Sequence, residues 1–361
     1  MNEEEVNLIE LTELLLKLLE NNASDLHITT GLPPVMRING NLVPLKDYPK
    51  LTPNDTKEMI YSILTQNQRE KLERNLEFDC SYGIAGKARF RVNVYFQRDS
   101  MAAAFRVIPV DIKSLDALGI PNSLVDLTLK ARGFVVVTGP TGSGKTTTLA
   151  TLLDMINESR MDHIITVEDP IEFLHRHKKC MVNQREVNSD TKSFVNALKY
   201  VLRQDPDVIL IGEMRDLETI QAALTAAETG HLVFATLHTQ DAPQTIDRII
   251  DVFPPHQQQQ VRIQLAGTLQ GIVAQQLLPT RDGEGRVVAV EVLIPTPGVR
   301  NMIREAKTHQ IYNAMQTGQK YGMITMDQCL ADLYRRNVIS LETALNRAVS
   351  PDNLKQMLGK C

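Results

Sequence analysis

Little in this chain of 361 residues points to a membrane span, to redox chemistry or to nucleic acid. Its cysteines, Cys80, Cys180, Cys329 and Cys361, are scattered and form no C-x-x-C pair, so neither a zinc site nor a disulfide framework is indicated. No apolar run reaches the length of a membrane span, and the acidic start MNEEEVN is not that of a signal peptide. A net charge of −4, with no stripe of aromatic and basic residues, argues against a nucleic-acid groove. Internal repeats and disordered low-complexity tracts are missing as well; the Gln257–Gln260 run lies inside a helix pattern. What remains is an ordinary globular composition, 43% hydrophobic and 23% charged, with enough chain for two or three domains. A reducing cytoplasm suits all of this.

The most informative stretch is GFVVVTGPTGSGKTTTLATLLDMI, residues 133–156. A β-branched run leads into a glycine-rich turn, and a helix pattern follows at once. Gly139, Gly144, Lys145 and Thr146 satisfy G-x-x-x-x-G-K-S/T, with Thr141, Gly142, Ser143 and Thr147 completing the loop and first turn. Glycines here let backbone N–H groups crowd around phosphate oxygens. Lys145 would reach the β- and γ-phosphates, the Thr146 hydroxyl would bind Mg²⁺, and the helix would aim its positive end at the same anion. A nucleotide site follows.

Taken in order, the chain begins with an amphipathic helix over Leu8–Glu20. Short strands then surround the Asn39-Gly40-Asn41 hairpin turn, and a helix covers roughly Pro53–Arg74. The hairpin KARFRVNVYF–QRDS–MAAAFRVI places Lys87, Arg89, Arg91, Asn93 and Tyr95 on one face, and Ala88, Phe90, Val92, Val94 and Phe96 on the other. With Gln97–Ser100 as its loop, Phe90 pairs with Val107 and Val92 with Phe105. Arg91 then lies directly opposite Arg106. Like charges facing each other across a strand pair are unfavourable without an anion between them, so this is either a solvated basic face or a phosphate clamp.

Beyond the P-loop, apolar runs (IITVE, VILIGE, LVFATLH) alternate with helical stretches over about Ser193–Arg203 and Leu217–Glu228. Alternation of this kind implies an α/β fold with a mostly parallel sheet covered on both faces. A further helix spans roughly Pro255–Gln276; one last strand, VVAVEVLI, precedes a helical tail from Pro297. Ligands of such sheets bind beyond the carboxyl ends of the strands. The polar residues there are Glu168 and Asp169, Glu213, and Thr236, His238 and Thr239. Carboxylates beside a nucleotide suit water activation and metal orientation. Gly212 holds the place where a second nucleotide motif normally carries Asp, so metal ligation falls to Thr146, waters and the Glu168/Asp169 pair.

With these residues in view, the chain resembles the secretion-type hexameric ATPases, and within them the branch that retracts type IV pili. The resemblance covers nearly the whole sequence. GPTGSGKTTTLA matches the family's P-loop, IITVEDPIEF its aspartate-rich box, DPDVILIGEMRDLETI its second motif and TAAETGHLVFATLHT its histidine box; ASDLHI and NQREV are also typical. GVRNMIRE, residues 298–305, is similar to the AIRNLIRE signature of retraction ATPases, with Gly298 in place of Ala.

The resemblance implies a PAS-like α+β domain over residues 1–112, a RecA-like ATPase core over 113–296 and a helical region over 297–361. Six copies would form a ring, binding ATP and Mg²⁺ between the two domains. Glu213 would be the general base, Glu168 an acidic residue near Mg²⁺ and water, and Thr146 and Glu168 the metal side of the site. Arg91 and Arg106 would approach the γ-phosphate, as would His231 and His238. The implied partners are further copies of the chain and an inner-membrane platform protein, reached from the cytoplasmic face, with no nucleic acid. The implied activity is pilus retraction and hence twitching motility. The alternatives are pilus extension or type II secretion on the same scaffold, a nucleic-acid translocase, and a scaffold that binds ATP without turnover.

Overall fold

A computed structural model of the chain describes residues 10–38, 40–84, 87–108 and 112–359. It divides into two units, Met1–Val110 and Asp111–Cys361. Leu8 of the expected first helix and Asn39 of the expected hairpin turn lie outside the described residues.

The first unit is built on a six-stranded antiparallel sheet, β1 (Asp25–Ile28), β2 (Val35–Ile38), β3 (Asn41–Pro44), β4 (Glu77–Ile84), β5 (Ala88–Gln97) and β6 (Ser100–Ile108), in the order β3-β2-β1-β6-β5-β4. Strand alternation decides which side is covered. Phe90, Val92 and Val94 are buried with Leu14, Leu18, Ile60 and Leu72 of the helices Leu11–Glu20, Pro53–Ser62 and Gln66–Asn75, while Arg91 between them is exposed. The register is the expected one: Phe90 faces Val107, Val92 faces Phe105 and Arg91 faces Arg106. Gln97 pairs with Ser100, so the turn is only Arg98-Asp99, both at positive φ (+46° and +58°), the twist that two-residue hairpins favour.

The single helix expected over Pro53–Arg74 is two. Thr65 starts the second by accepting the Gln68 N–H, while the Gln68 side chain accepts the Thr65 N–H, a reciprocal cap that ends the first helix before it.

The second unit carries a seven-stranded sheet of β7 (Gly133–Thr138), β8 (His163–Glu168), β9 (Met181–Glu186), β10 (Val208–Ile211), β11 (Leu232–Leu237), β12 (Leu269–Pro279) and β13 (Arg286–Leu293). The order is β13-β12-β7-β11-β10-β8-β9, parallel throughout except where β13 runs antiparallel to β12. Successive residues of β7 feed opposite layers. Phe134 and Val136 pack toward Ile220 and Leu224 of the helix Leu217–Glu228, and Val135 and Val137 toward Leu149 and Leu152 of the helix Lys145–Ser159. Both faces being covered, the central strands β7, β10 and β11 are buried along their whole length and read as nearly unbroken apolar runs.

The helix expected over Pro255–Gln276 stops at Thr268, and Leu269 opens β12. An apolar run buried on both sides has no periodicity to separate helix from strand, and here pairing with β7 settles it. β4 and β9 are strands that the sequence pattern did not announce.

The tail is helical from Pro297, and its Val299, Ile303, Ile311, Met315 and Met323 join the same buried layer as β7 and β11. Glu291 of β13, fully buried, accepts the backbone N–H of Ala242 (2.8 Å) and of Met326 (3.3 Å), the first residues of two helices. Burial pushes its carboxyl up to about 7 against the lowering effect of those N–H groups. Among the described residues no helix is long and apolar enough to cross a membrane.

Candidate nucleotide-binding site

The loop Gly139–Gly144 turns the chain from the carboxyl end of β7 into the helix Lys145–Ser159. Gly139 has φ +140°, and a Cβ on it would lie 2.3 Å from the Gln275 carbonyl oxygen and 2.7 Å from Ser143 Oγ, so only glycine fits between loop and β12. No side chain caps the helix, whose first N–H groups lack intrahelical partners and face the loop. Lys145 is buried, and its Nζ donates to the carbonyls of Gly139 (2.8 Å) and Pro140 (3.0 Å). Burial lowers its pKa, while the charges of Glu213 and Glu172 work the other way. Ser143 is buried, Thr146 and Thr147 are half-exposed in the first helical turn, and Thr141 and Gly142 are exposed.

The neighbouring strand ends bring further groups to this edge. Glu168 closes β8 and is buried; its Oε1 accepts the Thr166 hydroxyl (2.6 Å) and the Gln184 amide (3.1 Å). Burial raises its carboxyl to about 7 despite those donors. After β10 comes Gly212, where a Cβ would sit 3.2 Å from both Glu168 Cα and the Val167 carbonyl. The Asp usual at that place would press on the backbone of β8.

Glu213 follows, its two oxygens held by the fork of Arg215 (Nε–Oε1 and Nη2–Oε2, both 2.7 Å), with His238 Nε2 3.0 Å from Oε1. The Arg215 hydrogen bonds, ahead of the charge of His238, outweigh burial and hold the Glu213 carboxyl below its ordinary range. Thr236 donates to the Gly212 carbonyl (2.5 Å), and the Thr138 and Thr239 hydroxyls meet at 2.7 Å, tying β7, β10 and β11 together at this end.

Of the two expected histidines, the chain brings only His238 to this edge. His231 precedes β11, whereas His238 follows it, so the two stand at opposite edges of the sheet, about 23 Å apart at 3.3 Å per residue. The His231 carbonyl accepts the Gly133 N–H at the start of β7, and its Nδ1 lies 3.0 Å from the Ala226 carbonyl. Within one chain His231 cannot follow a phosphate at the P-loop. Strand direction was the signal: a residue before a parallel strand belongs to the amino edge.

Arg91 and Arg106 belong to the first unit, and there Arg106 Nε donates to Asp25 Oδ1 (2.8 Å). Asp25, Arg215 and Gln184 were not singled out from sequence. The Asp25–Arg106 contact joins residues 81 apart and exists only through the pairing of β1 with β6. The described residues contain no cluster of three or more His, Cys, Asp or Glu side chains able to hold a metal ion. A Mg²⁺ here would depend on the Thr146 hydroxyl and on the nucleotide's own oxygens, a ligand set that such sites commonly use.

A parallel sheet with a glycine-rich phosphate loop after one strand, a basic residue inside that loop and carboxylates at the ends of adjacent strands defines a P-loop nucleotide-binding protein. The chain belongs to the Type II/IV secretion system protein family, which it matches over residues 2–345. It is 49% identical over 345 residues to the type IV pilus retraction ATPase PilT of Pseudomonas aeruginosa, covering 96% of this chain and 100% of that one. It is 48% identical over 321 residues to a twitching motility protein of Neisseria gonorrhoeae, covering 89% of this chain and 86% of the relative. Among solved structures it is similar to the pilus retraction motor PilT with bound ADP, at a TM-score of 0.90 and 50% identity, over 96% of this chain and 99% of that one.

Proposed function

We propose that this chain is an ATP-hydrolysing motor that powers retraction of type IV pili. The observation that carries the reading is the meeting of the Lys145 loop, Glu213 and His238 at one edge of a sheet, in a chain similar along nearly its whole length to a retraction ATPase. Lys145 leaves the carbonyls of its own loop to meet the β- and γ-phosphates. Mg²⁺, held by the Thr146 hydroxyl and phosphate oxygens, would offset charge that develops in the transition state. Glu168, buried with its Oε1 already accepting from Thr166 and Gln184, would be the acidic residue near that ion and the water.

Glu213 orients and deprotonates the attacking water. Being held ionised, it is ready to accept a proton at neutral pH, and phosphoryl transfer asks for orientation more than for base strength. His238, 3.0 Å from the same carboxylate, fixes its rotamer. Arg91 and Arg106 supply positive charge to the γ-phosphate and let go after hydrolysis, turning turnover into motion. The motor works as a homohexamer at the cytoplasmic face of the inner membrane, against the platform protein of the pilus.

The experiment is a count of surface pili, with a motility assay, in cells lacking this chain. Many pili and no surface movement support retraction. Bald cells overturn it in favour of an assembly motor with the same chemistry.

A further inference from the structure

We infer that Asp25 is a positioning residue that holds the Arg106 guanidinium in the pose needed to receive a phosphate. The inference rests on the clamp reading given above and deepens it. The observation is an arrangement of charges across four neighbouring strands. Arg37 of β2, Asp25 of β1, Arg106 of β6 and Arg91 of β5 stand directly opposite one another in succession. Their side chains line one face of the sheet. Three cations share this row with one anion, and the two arginines expected to meet the nucleotide are immediate neighbours.

Asp25 differs from the rest of the row in its burial. Its side chain is 7% exposed, whereas that of Arg106 is 70% exposed. A carboxylate so enclosed cannot follow a mobile partner; the partner conforms to it. One oxygen, Oδ1, accepts from Arg106 Nε at 2.8 Å. The other accepts the Ser24 hydroxyl at 2.8 Å and faces Arg37 Nε at 3.8 Å. Both oxygens are therefore engaged, and the carboxylate plane is fixed.

Which nitrogen is engaged matters. A guanidinium carries five N–H donors in one plane. With Nε spent on Asp25, the two Nη groups at the outer edge remain, and they form the fork that grips a phosphate with two parallel hydrogen bonds. A long exposed arginine otherwise loses much rotamer freedom when it docks. Asp25 removes part of that cost before the phosphate arrives, and it relieves the repulsion between Arg106 and Arg91 that would swing the tip aside.

The test is a double-mutant cycle on the full-length chain, with Asp25→Asn, Arg106→Ala and the pair. ATP binding is followed with a fluorescent nucleotide and turnover by phosphate release. Misplacing a reacting group by about 1 Å costs up to about a hundredfold, so Asp25→Asn is expected to lower kcat by about ten- to a hundredfold with little change in KM. In the Arg106→Ala background it should add almost nothing, because there is no guanidinium left to aim.

Three results separate the possibilities. Normal turnover in Asp25→Asn alongside a crippled Arg106→Ala overturns the inference and leaves the clamp standing. Losses that multiply in the double variant also overturn it, since Asp25 would then act elsewhere. Normal turnover in Arg106→Ala removes the clamp reading itself. Should Asp25→Asn fail to fold, Asp25→Glu keeps the charge with a displaced carboxylate. It is expected to bind ATP normally and turn over at an intermediate rate; wild-type turnover there would count against the inference.

Discussion

Replacing Glu168 by Gln should make the nucleotide-free protein more stable, and increasingly so as the pH rises. Glu168 is buried, and its carboxyl is raised from 4.5 to about 7. Below pH 4.5 the group is protonated whether the chain is folded or not, and nothing is lost. Between 4.5 and about 7 the unfolded chain ionises while the folded one does not, so each increment of pH favours unfolding. Above 7 both states are ionised and the full penalty stands. At about 1.4 kcal/mol per pH unit the penalty reaches about 3 kcal/mol.

Glutamine escapes the penalty and can still accept from Thr166 and Gln184 through its Oε1. For a unit of about 250 residues, a kcal/mol moves Tm by roughly 2 °C. The Glu168→Gln protein should therefore melt about 6 °C above wild type at pH 8, relative to their difference at pH 4.5. Thermal melts over a pH series, in EDTA without nucleotide, measure this. Glu291, shifted in the same way, is present in both proteins and cancels in the comparison. Parallel Tm curves across the series would refute the reasoning, because they would mean that Glu168 ionises freely in the folded state.

Three further outcomes are expected. Arg215→Gln removes the main group that holds Glu213 ionised, so the acid limb of the kcat/KM profile should move to higher pH; an unmoved limb means that Glu213 is not the base. Arg300 of the GVRNMIRE helix donates to the carbonyls of Ala266 and Gly267 at the end of the helix Pro255–Thr268, next to the amino edge of β12. Arg300→Ala should cost about 2 kcal/mol of stability and leave ATP turnover near normal, a split that melts and phosphate release read directly. Gly139→Ala forces a Cβ into the Gln275 carbonyl at a φ that suits only glycine. Strain of about 1–3 kcal/mol should weaken nucleotide binding by roughly ten- to a hundredfold, and an unchanged Kd in a fluorescent-nucleotide titration would count against it.

Much of the frame could be read from residue order because it depends on local pattern. The P-loop, the ends of β8, β10 and β11, and the register of the β5–β6 hairpin all follow from alternation and from glycine placement within a few residues. Contacts that close over long separations could not be read in this way. Asp25 meets Arg106, and Gln184 meets Glu168, only after strands remote in sequence have paired. Arg215 was close at hand, two residues beyond Glu213. Its fork depends on the irregular backbone after β10, which no periodicity describes. His231 comes only from the family resemblance; the strand-end pattern names His238 alone, in keeping with the place of His231 before β11.

Glu291 has a consequence for how this chain can be shortened. One carboxylate supplies acceptors to two helices, one that starts beyond His238 and one deep in the tail. A truncation before Pro297 would release the second helix and leave half of that acceptor facing nothing. It would also strip Val299, Ile303 and Ile311 from the layer that shields the central strands. The region that looks like an appendage in the linear sequence is thus the last wall of the catalytic unit. A fragment holding every nucleotide-contacting residue, but ending there, would be a poor ATPase for want of a closed interior rather than for want of chemistry.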